Sequence, residues 1–184
     1  MHEFILGGQK SGKSRCAESR AAGWLQAGAG REATLIATAL AGDGEMAARI
    51  ARHQADRARR VPGLATAEVP HALPEAIAGL SAPRRLLVGD CLTLWLTQLQ
   101  MPLHGAPLGE AAALACQADL CRALRAAPGP VVLVSNEITL GLTPMEPALR
   151  RFVDALGGLH QRVAAVCERV TLMVAGIEVP VKRP

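Results

Sequence analysis

Gly7-Gly8-Gln9-Lys10-Ser11-Gly12-Lys13-Ser14 decides how this chain reads. The spacing is G-x-x-x-x-G-K-S, a phosphate-binding loop. Glycines let the backbone turn tightly and gather several N–H groups round one phosphate. The N-terminus of a following helix adds its partial positive charge. In this pattern Lys13 is placed to reach the β- and γ-phosphates, and Ser14 to ligate Mg²⁺. The flanks agree. Phe4-Ile5-Leu6 reads as a short buried strand, and Lys13 to about Leu25 as a helix. Strand, loop and helix together are the context that a bare motif match lacks.

The other elements follow the same alternation. Strands are expected at 33–38, 66–69, 84–90, 131–135, 170–174 and 179–182, the last at an edge because it carries Pro180. Helices are expected at 46–57, from Pro74, at 92–101, at 109–127 and from Pro147 to about Glu168, with Asp43 as N-cap of the second helix. Arg57 to Pro62 reads as a basic loop. The fold class is therefore α/β, a mainly parallel sheet flanked by helices of the P-loop, RecA-like type. With 184 residues and half of them apolar, it is read as a single domain over 1–184.

Two further stretches carry chemistry. Arg84 to Asp90 is an apolar strand closed by an aspartate, the form in which a carboxylate holds Mg²⁺ directly or through water. Arg49, His53 and Arg57 fall at i, i+4 and i+8 on one helical face. A cationic stripe around one histidine suits a triphosphate site; a solvated face that happens to carry a histidine has the same spacing. Val131 to Ser135, the clearest strand, runs into Asn136 and Glu137 at the carboxyl edge, where open α/β sheets bind ligands.

Composition narrows the partners. The net charge of +4 is spread along the chain, and two Trp, two Phe and no Tyr make no stacking platform, so nucleic acid is not expected. No apolar run reaches the roughly 18–20 residues of a membrane span. The five cysteines form no C-x-x-C pair, which reads as free thiols in a reducing cytoplasm.

The blocks G-G-Q-K-S-G-K-S-R, D-G-E-M-A-A-R-I-A-R-H, D-C-L-T-L-W-L, S-N-E with G-L-T-P, and R-x-F-x-D-x-x-G occur in that order over nearly the whole chain. They resemble the bifunctional adenosylcobinamide kinase / adenosylcobinamide-phosphate guanylyltransferases. The resemblance implies two reactions. ATP or GTP phosphorylates adenosylcobinamide; GTP then gives GMP to that phosphate through a guanylylated histidine, which by position is His53. Lys13 and His53 are the implied catalytic residues. The implied nucleotide contacts are the loop Gly7 to Ser14 (Gly7, Gly8, Gln9, Lys10, Ser11, Gly12, Lys13, Ser14), then Ala37, Thr38 and Ala39, then Gln54, Ala55, Asp56 and Arg57, with Glu68 and Asp90 as acidic members. Ser14 and Asp90 are the metal ligands. A homotrimer with its active site between subunits is also implied. Three departures stand out: Thr139 where the family usually has Gly, His160-Gln161 where Asn-Gln is common, and a longer stretch at Arg59 to Leu64. A small-molecule kinase without nucleotidyl transfer, or a nucleotide-switched regulatory module, would carry the same phosphate loop.

Overall fold

Residues 1–42 and 44–184 are described in the computed structural model, apart from the side chain of Arg49. The elements are β1 (Glu3–Gly7), α1 (Lys13–Gln26), β2 (Glu32–Ala37), α2 (Gly44–Arg60), β3 (Leu64–Glu68), α3 (Leu73–Leu80) and β4 (Arg85–Asp90). They continue with α4 (Leu92–Gln100), α5 (Glu110–Ala126), β5 (Val131–Asn136), α6 (Pro147–Val166), β6 (Arg169–Val174) and β7 (Ile177–Lys182). The strands make one sheet in the order β3-β2-β4-β5-β1-β6-β7. All neighbours pair in parallel except β7, which returns antiparallel to β6 as the edge strand.

The strands that pair on both sides are continuous apolar runs because both faces are covered. Successive side chains go to opposite sides. Phe4 and Leu133 enter a core with Trp95, Leu120 and Leu156 beneath α4, α5 and α6. Ile5, Val132 and Val134 enter a second core with Cys16, Ala17 and Ala21 of α1. Burying each such side chain stabilises by roughly 1.5–3 kcal/mol, so these two cores set the position of the sheet's carboxyl edge.

The second helix differs from its expected form. It begins at Gly44 and runs through Arg60, so the expected basic loop at 57–62 is helical over its first four residues. Alanine and arginine are strong helix formers, and they carry the helix up to the turn before Gly63, whose φ is +91°. The cap expected at Asp43 lies outside the described residues. Among the described side chains of α2, only Arg57 is buried.

Candidate active site at the carboxyl edge of the sheet

The phosphate loop leaves β1 at Gly7 and closes on α1 at Gly12. Gly12 has φ +100°, and a Cβ there would come within 3.3 Å of Gly176 Cα. Lys10 also takes a left-handed φ of +57°. Ser11 N–H donates to Gly8 O at 3.2 Å, and Gly176 N–H donates to Ser11 O at 3.0 Å. The turn between β6 and β7 therefore braces the loop from outside, a support that local sequence does not reveal.

Lys13 is 7% exposed, and its Nζ donates to Gly8 O at 2.6 Å. Burial lowers its pKa, and the neighbouring Cys91 and Asp90 act in the opposite sense. The Cys91 thiol is itself pushed up to about 12 by burial. At neutral pH Cys91 is thus a thiol rather than a thiolate. Lys13 opens α1 at the end of the loop that leaves β1, and Asp90 ends β4; β5 lies between those two strands.

Register puts the expected acids on one edge. Ala37 aligns with Glu68 on one side and Asp90 on the other, while Gly7 aligns with Asn136. Glu137 N–H donates to Gly7 O at 2.8 Å, which ties the end of β5 to the start of the loop. Ser14 stands in the first turn of α1 and is half-buried. Ala39 is half-buried just beyond β2.

Thr38 is fully buried and its hydroxyl is engaged elsewhere. It donates to Cys91 O at 2.8 Å and accepts from Cys91 N–H at 2.8 Å, splicing the end of β2 to the end of β4. Arg57, expected beside the nucleotide, faces α1: its Nε lies 3.6 Å from Glu18 Oε1. Arg60 reaches the same carboxylate at 2.9 Å. Gln54 donates to Glu68 at 3.2 Å, Asp56 pairs with Arg59 at 2.5 Å, and Ala55 is exposed. His53 is exposed on α2. The structure thus brings Gly7 to Ser14, Asp90, Asn136 and Glu137 to one edge of the sheet, while His53 lies exposed on α2.

A polar network behind the loop has only fragments in the sequence reading. Thr139 donates to Glu137 Oε1 through both N–H and hydroxyl, at 2.6 and 2.5 Å. Glu137 Oε2 lies 3.7 Å from His160 Nδ1. His160 Nε2 lies 2.8 Å from Ser135 Oγ, which lies 3.0 Å from Thr93 Oγ1. Thr93 Oγ1 accepts from Asn136 N–H at 2.9 Å. Burial lowers the His160 pKa, partly offset by Glu137, so the ring is neutral at pH 7. The signal available in sequence was Asn136-Glu137 at a strand's carboxyl edge; the helix that supplies His160 joins it only through packing.

The chain matches, over residues 3–181, the family described as cobinamide kinase / cobinamide phosphate guanyltransferase. The bifunctional adenosylcobalamin biosynthesis protein CobP of Pseudomonas aeruginosa is 46% identical over 184 residues, covering 99% of this chain and 98% of that protein. The bifunctional adenosylcobalamin biosynthesis protein CobU of Salmonella typhimurium is 35% identical over 187 residues, covering 97% and 98%. Among solved structures, the flagellar accessory protein FlaH from Methanocaldococcus jannaschii superposes with TM-score 0.54 at 13% identity, covering 99% of this chain and 78% of that one. That likeness concerns the fold alone, and it agrees with the RecA-like arrangement expected from the alternation of strands and helices. By family match and by identity along nearly its full length, the chain belongs to the cobinamide kinase / cobinamide phosphate guanyltransferase family.

Proposed function

We propose that this chain phosphorylates the aminopropanol hydroxyl of adenosylcobinamide with ATP or GTP. It then transfers GMP from GTP to that phosphate by way of His53, giving adenosylcobinamide-GDP and pyrophosphate. The observation that carries the reading is the phosphate loop with buried Lys13 at the same carboxyl edge of the sheet as Asp90, in a chain of this family.

In the kinase step the loop amides and Lys13 hold the β- and γ-phosphates, with positioning and charge neutralisation as the main sources of rate. On this reading Lys13 leaves Gly8 O, its present acceptor, for the phosphates. Ser14 and Asp90 offer one hydroxyl and one carboxylate. An all-oxygen donor pair suits Mg²⁺, which keeps several waters and takes substrate phosphates as further ligands. Bound there, Mg²⁺ would neutralise charge on the phosphate oxygens.

In the transfer step His53 attacks the α-phosphorus. An N–P bond forms and the bond to the pyrophosphate oxygen breaks; the acceptor phosphate then displaces the imidazole. Gln54 and Glu68 flank the site on the side of α2 and β3, and Ala37 and Ala39 line it beyond β2. The working form is a homotrimer in the cytoplasm, with the site completed between copies. The exposure of α2 and of the β7 edge supports this, as do five cysteines without a disulfide.

One observation favours a second reading, a kinase without nucleotidyl transfer: His53 lies exposed on α2. Intact mass after incubation with GTP and Mg²⁺ separates the two. The proposal expects a GMP-sized increment on wild type and none on His53→Ala, with phosphorylation of adenosylcobinamide largely kept in the variant. The adduct should be acid-labile and base-stable, because protonating the phosphoramidate nitrogen makes imidazole a good leaving group. No increment on wild type favours the simple kinase. An increment that persists in His53→Ala, or maps to a lysine, overturns the mechanism.

A further inference from the structure

The network behind the phosphate loop has a direction. A hydroxyl has one proton to give. Thr93 Oγ1 already accepts from Asn136 N–H, and the acceptor within its reach is Ser135 Oγ at 3.0 Å. Ser135, accepting from Thr93, gives its own proton to His160 Nε2 at 2.8 Å. The reverse direction would leave the Thr93 proton, 91% of whose residue is buried, without an acceptor. The ring proton of His160 therefore sits on Nδ1. That nitrogen is buried without a hydrogen-bond partner and stands 3.7 Å from Glu137 Oε2.

Glu137 itself is half committed. Oε1 takes both bonds from Thr139, while Oε2 has only the long approach of His160. Its side chain keeps 12% exposure, enough for one atom to be reached. Its amide donates to Gly7 O, so residue 137 stands where β5 meets the start of the phosphate loop, with β5 lying between β4, the strand of Asp90, and β1. Beside Thr139 a cavity of about 350 Å³ opens between the 138–144 turn and α6, lined by Asp154 and Gly157 among others. Asp90, at the end of β4, is assigned to the metal in the proposed function.

We propose that Glu137 is the general base of the phosphorylation step and that His160 is its positioning residue, donating from Nδ1 to the carboxylate oxygen that Thr139 does not hold. The inference rests on the kinase half of the proposed function. The acceptor alcohol loses its O–H proton to Glu137. Its oxygen forms a bond to the γ-phosphorus, and the bond from that phosphorus to the β-phosphate oxygen breaks, the electron pair leaving with the nucleoside diphosphate. Glu137 then returns the proton to solvent. Catalytic hydrogen bonds are often long without substrate and shorten in the complex, which fits a 3.7 Å approach.

The test measures phosphorylation of adenosylcobinamide by Mg²⁺-ATP. Glu137→Gln keeps the shape and the bonds from Thr139 but is no base; kcat should fall about 10²–10³-fold, the scale of general-base catalysis, with KM for ATP changing less than about threefold. Two variants then divide the ring of His160. His160→Asn places an amide N–H where Nδ1 stands and abandons Ser135. His160→Gln reaches Ser135 and abandons Glu137. The proposal expects His160→Asn to keep kcat within about threefold and His160→Gln to lose about tenfold at unchanged KM. The opposite ranking overturns the positioning role, and wild-type turnover in Glu137→Gln overturns the base. Melting temperature measured on each variant identifies any loss that comes from unfolding; Glu137→Asp, a base with a shorter arm, should then retain more turnover than Glu137→Gln, and equal turnover sinks the assignment. The GMP adduct on wild type is scored separately, so failure of the transferase reading and failure of this inference are distinct results.

Discussion

Gly7→Ala isolates the geometry that joins the sheet to the phosphate loop. A Cβ at Gly7 would stand 2.5 Å from Ser11 Oγ and 2.6 Å from the backbone oxygen of Met173. The hydroxyl can rotate away, but the carbonyl belongs to β6, which pairs with β1 in register at this residue. Cβ contacts below 3.0 Å are essentially not seen, so the ends of β1 and β6 must part by at least 0.4 Å. On the other side Gly7 O holds Glu137 N–H at 2.8 Å, so a shift away from β6 compresses β5. Overpacking of this kind costs about 1–3 kcal/mol, and the rigid partners on both sides put it at about 2–3. For a domain of this size that lowers Tm by roughly 4–12 °C. The same displacement moves the loop amides, and kcat/KM for ATP should fall about tenfold or more. Gly8→Ala is the control, because a Cβ there meets nothing within 4 Å; its Tm should stay within about 2 °C. Calorimetry and a kinase assay on both proteins decide it. Gly7→Ala melting within 2 °C of wild type, or Gly8→Ala melting equally low, would refute the steric account.

Lys13→Ala removes the cation aimed at the phosphates, so both phosphorylation and GMP-adduct formation should drop to background; near-normal turnover by coupled assay would refute the loop assignment. Asp90→Asn should raise the Mg²⁺ concentration needed for half-maximal rate while Tm stays within about 2 °C, since the side chain ends a strand at the site rather than packing in the core; an unchanged Mg²⁺ titration counts against the metal role. Burial depresses the folded-state pKa of His160 below its ordinary value of about 6.5. Below pH 6.5 the unfolded chain then binds a proton that the folded chain refuses, so stability falls as pH drops through that value toward the depressed one. His160→Asn should flatten part of this slope in urea titrations between pH 7 and 5, leaving the share of His2, which burial depresses in the same sense; parallel curves would show that His160 is not the group.

The parts legible in sequence are those fixed by local geometry. Glycine spacing specifies the phosphate loop because the turn is built from neighbouring dihedrals, and the apolar runs at Phe4, Leu86 and Val131 specify buried strands. Asp90 was legible for the same reason, as an acid ending such a run. What required tertiary packing was not. That β5 lies between β1, which leads into the loop of Lys13, and the strand of Asp90 depends on crossovers, not on any one segment. Arg57 is a nucleotide contact by the family resemblance, and in the structure it turns to Glu18, a carboxylate 4% exposed that needs a counter-charge. Thr38 reads as a nucleotide contact by position, yet its hydroxyl is taken up by the Cys91 backbone. Thr139 and His160 were visible only as unusual residues, because the carboxylate that relates them, Glu137, lies at the end of a different element.

The attachment of α2 has a consequence for how this protein opens to water. Glu18 fastens the Arg57 and Arg60 end, whereas the turns before it offer little buried surface. In proteins most of a helix's stability comes from packing one face against the core, and Arg57 is the only buried one among the described side chains of α2. Its amides can therefore exchange with solvent through opening of that segment alone, at a free energy well below that of global unfolding, while the amides of β1, β4 and β5 exchange only when the whole sheet is lost. A deuterium-uptake map should show this as fast exchange over 46–56 beside slow strands. Any nucleotide or neighbouring copy that seats His53 would then slow exchange in that one segment, so engagement of the histidine can be followed by exchange rate without a change in Tm.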